Sequence, residues 1–184
     1  MTFCEQTGVQ LYPAWAKFYQ GVVAAQDGDP RHGIAIMRQV RQELQQNKVG
    51  LFGPIHLYHL AAAHGRCGEY ENAFGLLDEA IRTIEATEER MFEAELYRLR
   101  GELLLQIGHA DPAEEALTTA LTVARRQQAR AWELRAAIAL ARYWHENGNT
   151  LAARNLLAPV YGWFAEGLDT ADLQCGRLLL ERLD

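Results

Sequence analysis

The sequence predicts an all-α chain of four helical hairpins stacked at a 40-residue period and closed by a C-terminal helix. Three observations predict it: glycines that recur every 40 residues, small residues in step on either side of them, and apolar residues at helical spacing between. One domain over 1–184 is expected, with repeats at approximately 9–48, 49–88, 89–128 and 129–168 and a cap at 169–184.

Gly28, Gly68, Gly108 and Gly148 each follow one helical pattern and precede another, where a chain needs a residue that tolerates positive φ. They are the expected hairpin turns. Gly21, Ala61, Gly101 and Ala141 stand seven residues before them, and Gly33, Ala73, Ala113 and Ala153 five residues after. Such small residues let paired helices approach closely, and a Leu there would overpack the crossing by about 1–3 kcal/mol. Larger groups come next in register at Met37, Leu77, Leu117 and Leu157, followed by Val40, Ala80, Ala120 and Val160.

This order, hung on a turn glycine, resembles the tetratricopeptide repeat. Its best copy is Tyr97, Gly101, Leu104 and Gly108 with Ala113, Leu117 and Ala120. That repeat ordinarily runs about 34 residues, so the units here have longer helices or connections.

Asp29-Pro30 and Asp111-Pro112 each read as an N-cap acid before a proline at the first helical position, with Glu114 completing a capping-box-like pattern, and Gly53-Pro54 opens another helix. Helix pairs are therefore expected at 12–27 with 30–47, 54–67 with 70–86, 89–107 with 112–127, and 130–147 with 150–165. A last helix at 171–183 follows Asp169-Thr170, with Trp163 and Phe164 as its packing anchors. Counting back one period from Lys48 places a connection near Gly8, so residues 1–7 read as the tail of a helix. The first hairpin is then expected to need a cover, either preceding repeats or a second copy in a homodimer that buries Tyr12 and Trp15.

Lys and Arg total 18 against 24 Asp and Glu, and the formal charge of −6 disfavours nucleic acid and anionic membrane surfaces as partners. No stretch of roughly 18 apolar residues and no basic leader occurs, which points to a cytoplasmic protein. Cys4, Cys67 and Cys175 are odd in number, far apart and without a C-x-x-C pair, as expected of reduced, partly buried thiols.

From about Phe92 onward the chain also resembles the C-terminal repeat region of bacterial signalling proteins that join an adenylate/guanylate cyclase to a predicted ATPase. Ala94-Glu95-Leu96-Tyr97-Arg98-Leu99-Arg100-Gly101-Glu102, Glu133-Leu134-Arg135-Ala136-Ala137 and Trp163-Phe164-Ala165-Glu166-Gly167-Leu168-Asp169 carry the likeness. It implies a regulatory or scaffolding role. Neither ATPase nor cyclase activity is carried over, because the chain has no G-x-x-x-x-G-K-[ST] loop.

No serine occurs, and no Thr or Cys stands in a nucleophile motif, so no enzyme activity, catalytic residue or cofactor is expected. His56, His59, His64 and Cys67 are the nearest approach to a metal site, but helical spacing scatters them, and His64 takes a core-facing place filled by Leu104 and Trp144 in later units. Glu88-Glu89 and Glu114-Glu115 read as acids at helix starts, complementing the dipole. The expected site is a concave groove lined by the first helix of each hairpin, with Trp15, Tyr19, Tyr58, His59, Arg66, Glu95, Arg98, Glu102, Arg135 and Arg142 on or near it. Aromatic anchors and Arg/Glu pairs suit a protein or peptide partner, the alternative being a small-ligand sensor.

Overall fold

The computed structural model describes residues 11–46 and 53–183, and the readings that involve Cys4, Gly8, Lys48 and residues 1–7 lie outside these. Helices α1 (Leu11–Gln26) and α2 (Pro30–Gln46) form the first hairpin, α3 (Gly53–Arg66) and α4 (Tyr70–Thr87) the second. After a 3₁₀ turn, Arg90–Phe92, come α5 (Glu93–Gln106) with α6 (Ala110–Arg126), α7 (Arg130–Glu146) with α8 (Thr150–Tyr161), and α9 (Ala171–Leu183). The chain divides into two compact units, Met1–Phe92 and Glu93–Asp184.

All four predicted glycines have positive φ, between +73° and +113°. The turns are closed by backbone bonds of one kind: Glu69 N–H donates to His64 O, His109 to Leu104 and Asn149 to Trp144, while Gly68, Gly108 and Gly148 donate to Gly65, Leu105 and His145. This is a Schellman ending with glycine in the left-handed place. The residue after each glycine then caps the next helix, so the cap of α6 is His109, not Asp111. Pro112 stands in the third helical position, where its missing N–H is still one of the unpaired helix-start donors. The capping box at Asp111 is not the arrangement found, since Glu114 instead accepts from Trp144 Nε1–H at 2.7 Å. At Asp29 the expected cap forms, with His32 N–H donating to Asp29 Oδ1 at 3.0 Å.

Both connections between hairpins that are described need a left-handed residue too, and there it is not glycine: Glu88 has φ 60° and Gln128 φ 55°, again 40 apart. Glu88 thus ends α4, its N–H bonding Ile84 O, rather than opening a helix, and α5 starts only at Glu93. The helix α8 stops at Tyr161, short of the expected 165, with Gly162 as its C-cap.

The in-register small and large residues are the core of each hairpin. Ala61, Ala73, Ala113, Ala141, Ala153, Met37, Leu77, Leu117 and Leu157 are all fully buried. In the first unit, Phe18, Val22, Ile34, Met37, Val40, Leu44 and Leu60 form one cluster; in the second, Leu117, Leu134, Leu140, Leu157, Leu173, Leu179 and Leu183 belong to another. Leu173, Leu179 and Leu183 show that α9 caps its unit. Phe164 packs on that core, but Trp163 is 58% exposed and so is not an anchor.

Helices α1 and α2 cross with their backbones nearly touching. A Cβ on Gly33 would collide with the Gly21 carbonyl oxygen and come within 2.6–2.7 Å of Ala25. Gly33→Ala is expected to cost about 1–3 kcal/mol by overpacking. Gly75 in α4 has open space beyond it, so Gly75→Ala should instead stabilise by roughly 0.5–1 kcal/mol. Thermal melts of both variants check this, and equal effects would refute the close approach at Gly33.

Candidate functional site

In the first unit, α1 and α3 lay their polar-edged aromatic residues side by side. Phe18 is fully buried and its ring stands 4.3 Å from that of His56. His59 lies 5.7 Å from Tyr19, 5.1 Å from Tyr58 and 6.4 Å from Phe92, and Tyr58 meets Phe92 edge-on at 5.4 Å. Tyr19 remains 42% exposed and Tyr12, beside the half-buried Trp15, 61%. Tyr12, Ala16, Tyr19 and Val23 are all exposed and follow the i, i+4, i+7, i+11 spacing of one helix face.

Burial lowers the His56 pKa to about 4, helped by the nearby Arg41 charge, and lowers that of His59 to about 4, helped by His56. Both imidazoles are neutral at physiological pH, so this face presents rings without charge. His64 is also buried, but its nitrogens are spent: Arg38 Nη2 donates to Nε2 at 3.0 Å, and since arginine can only donate, Nδ1–H donates to Glu69 Oε2 at 2.6 Å. That bond holds the Glu69 carboxyl below its usual range. Among the described residues, no three His, Cys, Asp or Glu side chains are grouped to hold a metal ion. Arg66 Nη1 donates to the Ala25 carbonyl at 3.2 Å, fastening α3 to α1.

In the second unit, Glu95, Arg98, Glu102 and Arg135 come together. Glu95 is 1% exposed, accepts Arg98 Nε at 2.8 Å and Nη2 at 2.9 Å in a fork, and pairs with Arg135 Nη1 from α7 at 2.9 Å. Arg98 Nη1 also donates to Glu102 at 2.5 Å, and Arg135 lies 3.9 Å from Asp172 of α9. The network therefore runs α5–α7–α9 and fixes the face those helices share. Arg142 stands apart from it and donates to the Cys175 thiol at 3.3 Å.

Three further residues join these groups without having been expected from the sequence. Phe92 comes from a 3₁₀ turn where a helix was expected from residue 89, and Asp172 from the cap, outside the 40-residue repeat. Glu133, buried on α7, accepts Arg125 Nε at 2.9 Å and Arg130 Nη1 at 2.7 Å. A carboxylate flanked by arginines three and eight residues before it was the available signal. Beside Phe92 lies a pocket of about 350 Å³ lined by Pro54, Ile55, Glu88, Glu89, Arg90 and Met91.

The tetratricopeptide repeat family is matched over residues 54–126. No curated protein matches the chain. Among solved structures, the chain is similar to the nearly identical TPR-like repeats of a putative kinesin light chain from Podosopora anserina and to a point variant of the same repeats. Each superposes with a TM-score of 0.66 at 18% identity, covering 91% of this chain and 83% of that one. The fold is all-α and tetratricopeptide-like. Repeats of that kind generally mediate protein–protein interaction and are typically non-catalytic scaffolds. No described helix is long and apolar enough to cross a membrane.

Proposed function

We propose that the chain is a non-catalytic interaction module, and that the α1/α3 face of its first unit receives the apolar side chains of a peptide segment of a partner protein. The observation that carries this is the uncharged aromatic face built by the exposed Tyr12 and Tyr19 and the half-buried His59. Rings held in place by other rings lose little entropy on binding, and aromatic residues are the commonest energetic anchors of protein interfaces. The Glu95–Arg98–Arg135 network supports a different part for the second unit: its charges are largely satisfied internally, which suits a rigid support. The likeness of the residues from Phe92 onward to the repeats of cyclase/ATPase signalling proteins favours a regulatory setting.

Selection from a displayed library of random peptides is expected to enrich ligands that Tyr19→Ala weakens about tenfold or more. Enrichment of nothing would overturn the reading. So would a Tyr19→Ala chain whose only change is a lower solution mass by light scattering, since the face would then serve a second copy. The alternative of a small-ligand sensor draws on the 350 Å³ pocket. A metabolite that raises the melting temperature while no peptide binds would favour it.

A further inference from the structure

We propose that the pocket between the start of α3 and the 88–92 connection is the receptor for one large apolar side chain, Leu, Met or Phe, carried next to a Lys or Arg on the partner peptide. This rests on the peptide-binding reading above and names what the peptide must contain.

The pocket's walls are Pro54, Ile55, Met91 and Phe92, and its volume of about 350 Å³ falls within the roughly 300–1,000 Å³ of small-ligand clefts, ample for one side chain. Its shape is set beforehand rather than made by the ligand. Glu88 is held left-handed at φ 60°, with its N–H on Ile84 O, and Arg90 N–H donates to Glu88 O, each at 2.9 Å. The Arg90 guanidinium then closes back on the Glu88 carboxylate through Nε at 2.8 Å and Nη2 at 3.3 Å. Gln128 takes the same left-handed place one period on, so this backbone belongs to the hairpin connection and its order owes nothing to a ligand. A wall already ordered lowers the entropy cost of filling the space.

Charge selects the neighbouring residue. Arg90 answers Glu88, and Glu89 brings a second carboxylate to the same rim, so the three lining charges sum to one negative. A basic residue beside the inserted side chain would meet it, and an acidic one would be repelled. Met91, 56% exposed, stands among the lining residues as an adaptable apolar surface. Position ties the pocket to the aromatic face, because Phe92 lines the one and its ring packs on Tyr58 and His59 of the other. A peptide lying on Tyr19 and His59 therefore needs only a few residues to reach the opening.

The test uses the full chain and peptides selected from a displayed random library, resynthesised and titrated by calorimetry. Selected peptides are expected to share Leu, Met or Phe adjacent to Lys or Arg. Met91→Glu, at an exposed position that spares the fold, should weaken binding at least tenfold. Replacing the peptide's apolar residue by Ala should cost a similar factor against the parent chain and little against Met91→Glu. Glu89→Lys should weaken binding and reverse its salt dependence. Peptides lost by Tyr19→Ala but indifferent to Met91→Glu and Glu89→Lys would overturn this inference while leaving the α1/α3 reading intact. A library that yields no ligand would overturn both.

Discussion

Replacing Glu95 by alanine is expected to destabilise the second unit by about 3–5 kcal/mol, a larger loss than overpacking brings at Gly33. The carboxylate is buried and answers two guanidinium groups, those of Arg98 on its own helix and Arg135 on α7. Taking it away deprives the Arg98 guanidinium, itself 7% exposed, of its forked carboxylate, with Glu102 still beside it. Glu102 keeps the cost nearer the lower end. Removing both Glu95 and Arg98 in favour of leucines should be milder than removing Glu95 alone, because the stranded charge disappears with its partner. Urea titration followed by helical circular dichroism gives the comparison: the midpoint should fall with the slope unchanged. As a reference, Glu181→Ala breaks the exposed Arg177–Glu181 pair and should cost less than about 1 kcal/mol. A Glu95→Ala chain no less stable than Glu181→Ala would mean that the network contributes nothing.

The same residues show which contacts the sequence makes legible. Positions 95, 98 and 102 share a helix face by the 3.6-residue period alone, so periodicity suffices to group them. The 40-residue period brings Arg135 to the same face one repeat on from Glu95, whereas Asp172 behind it depends on how α9 packs, which no local pattern encodes. The four turn glycines are legible because the steric demand is local: only glycine enters the left-handed region at little cost. Glu88 and Gln128 occupy that region 40 residues apart without advertising it, and reading Glu88-Glu89 as a helix start hides the connection. The pocket is invisible in the sequence for the same reason, since its walls come from residues assigned to two helix beginnings. Trp163 resembles an anchor because it is an aromatic next to a cap, whereas its ring lies out against Arg130, whose guanidinium carbon is 5.2 Å from it.

Acidification from pH 6.5 to 5 is expected to destabilise the first unit before the carboxylates begin to titrate. His56 and His59 have pKa values lowered to about 4 from an ordinary 6.5, chiefly by burial among Phe18, Tyr19, Tyr58 and Phe92, with Arg41 of α2 and the neighbouring histidine opposing any added positive charge. Between those two values the unfolded chain binds more protons than the folded one, so stability rises with pH; it is complete above 6.5 and is lost as pH falls toward 4. At pH 5 the loss from His56 amounts to about 2 kcal/mol, and half-buried His59 adds less because water screens it and its shift already includes repulsion from His56. Glu69 and Glu88, whose carboxyls are held below 4.5, keep their contributions until lower pH, which separates the two effects. Melting temperatures measured from pH 7.5 to 4.5 should therefore decline below 6.5 in the parent chain and decline less in His56→Gln, which cannot take up the proton. An identical decline in both would show that protonation of His56 is not what loosens this face. Because these rings also make the proposed peptide surface, the same window should weaken peptide binding in step with stability.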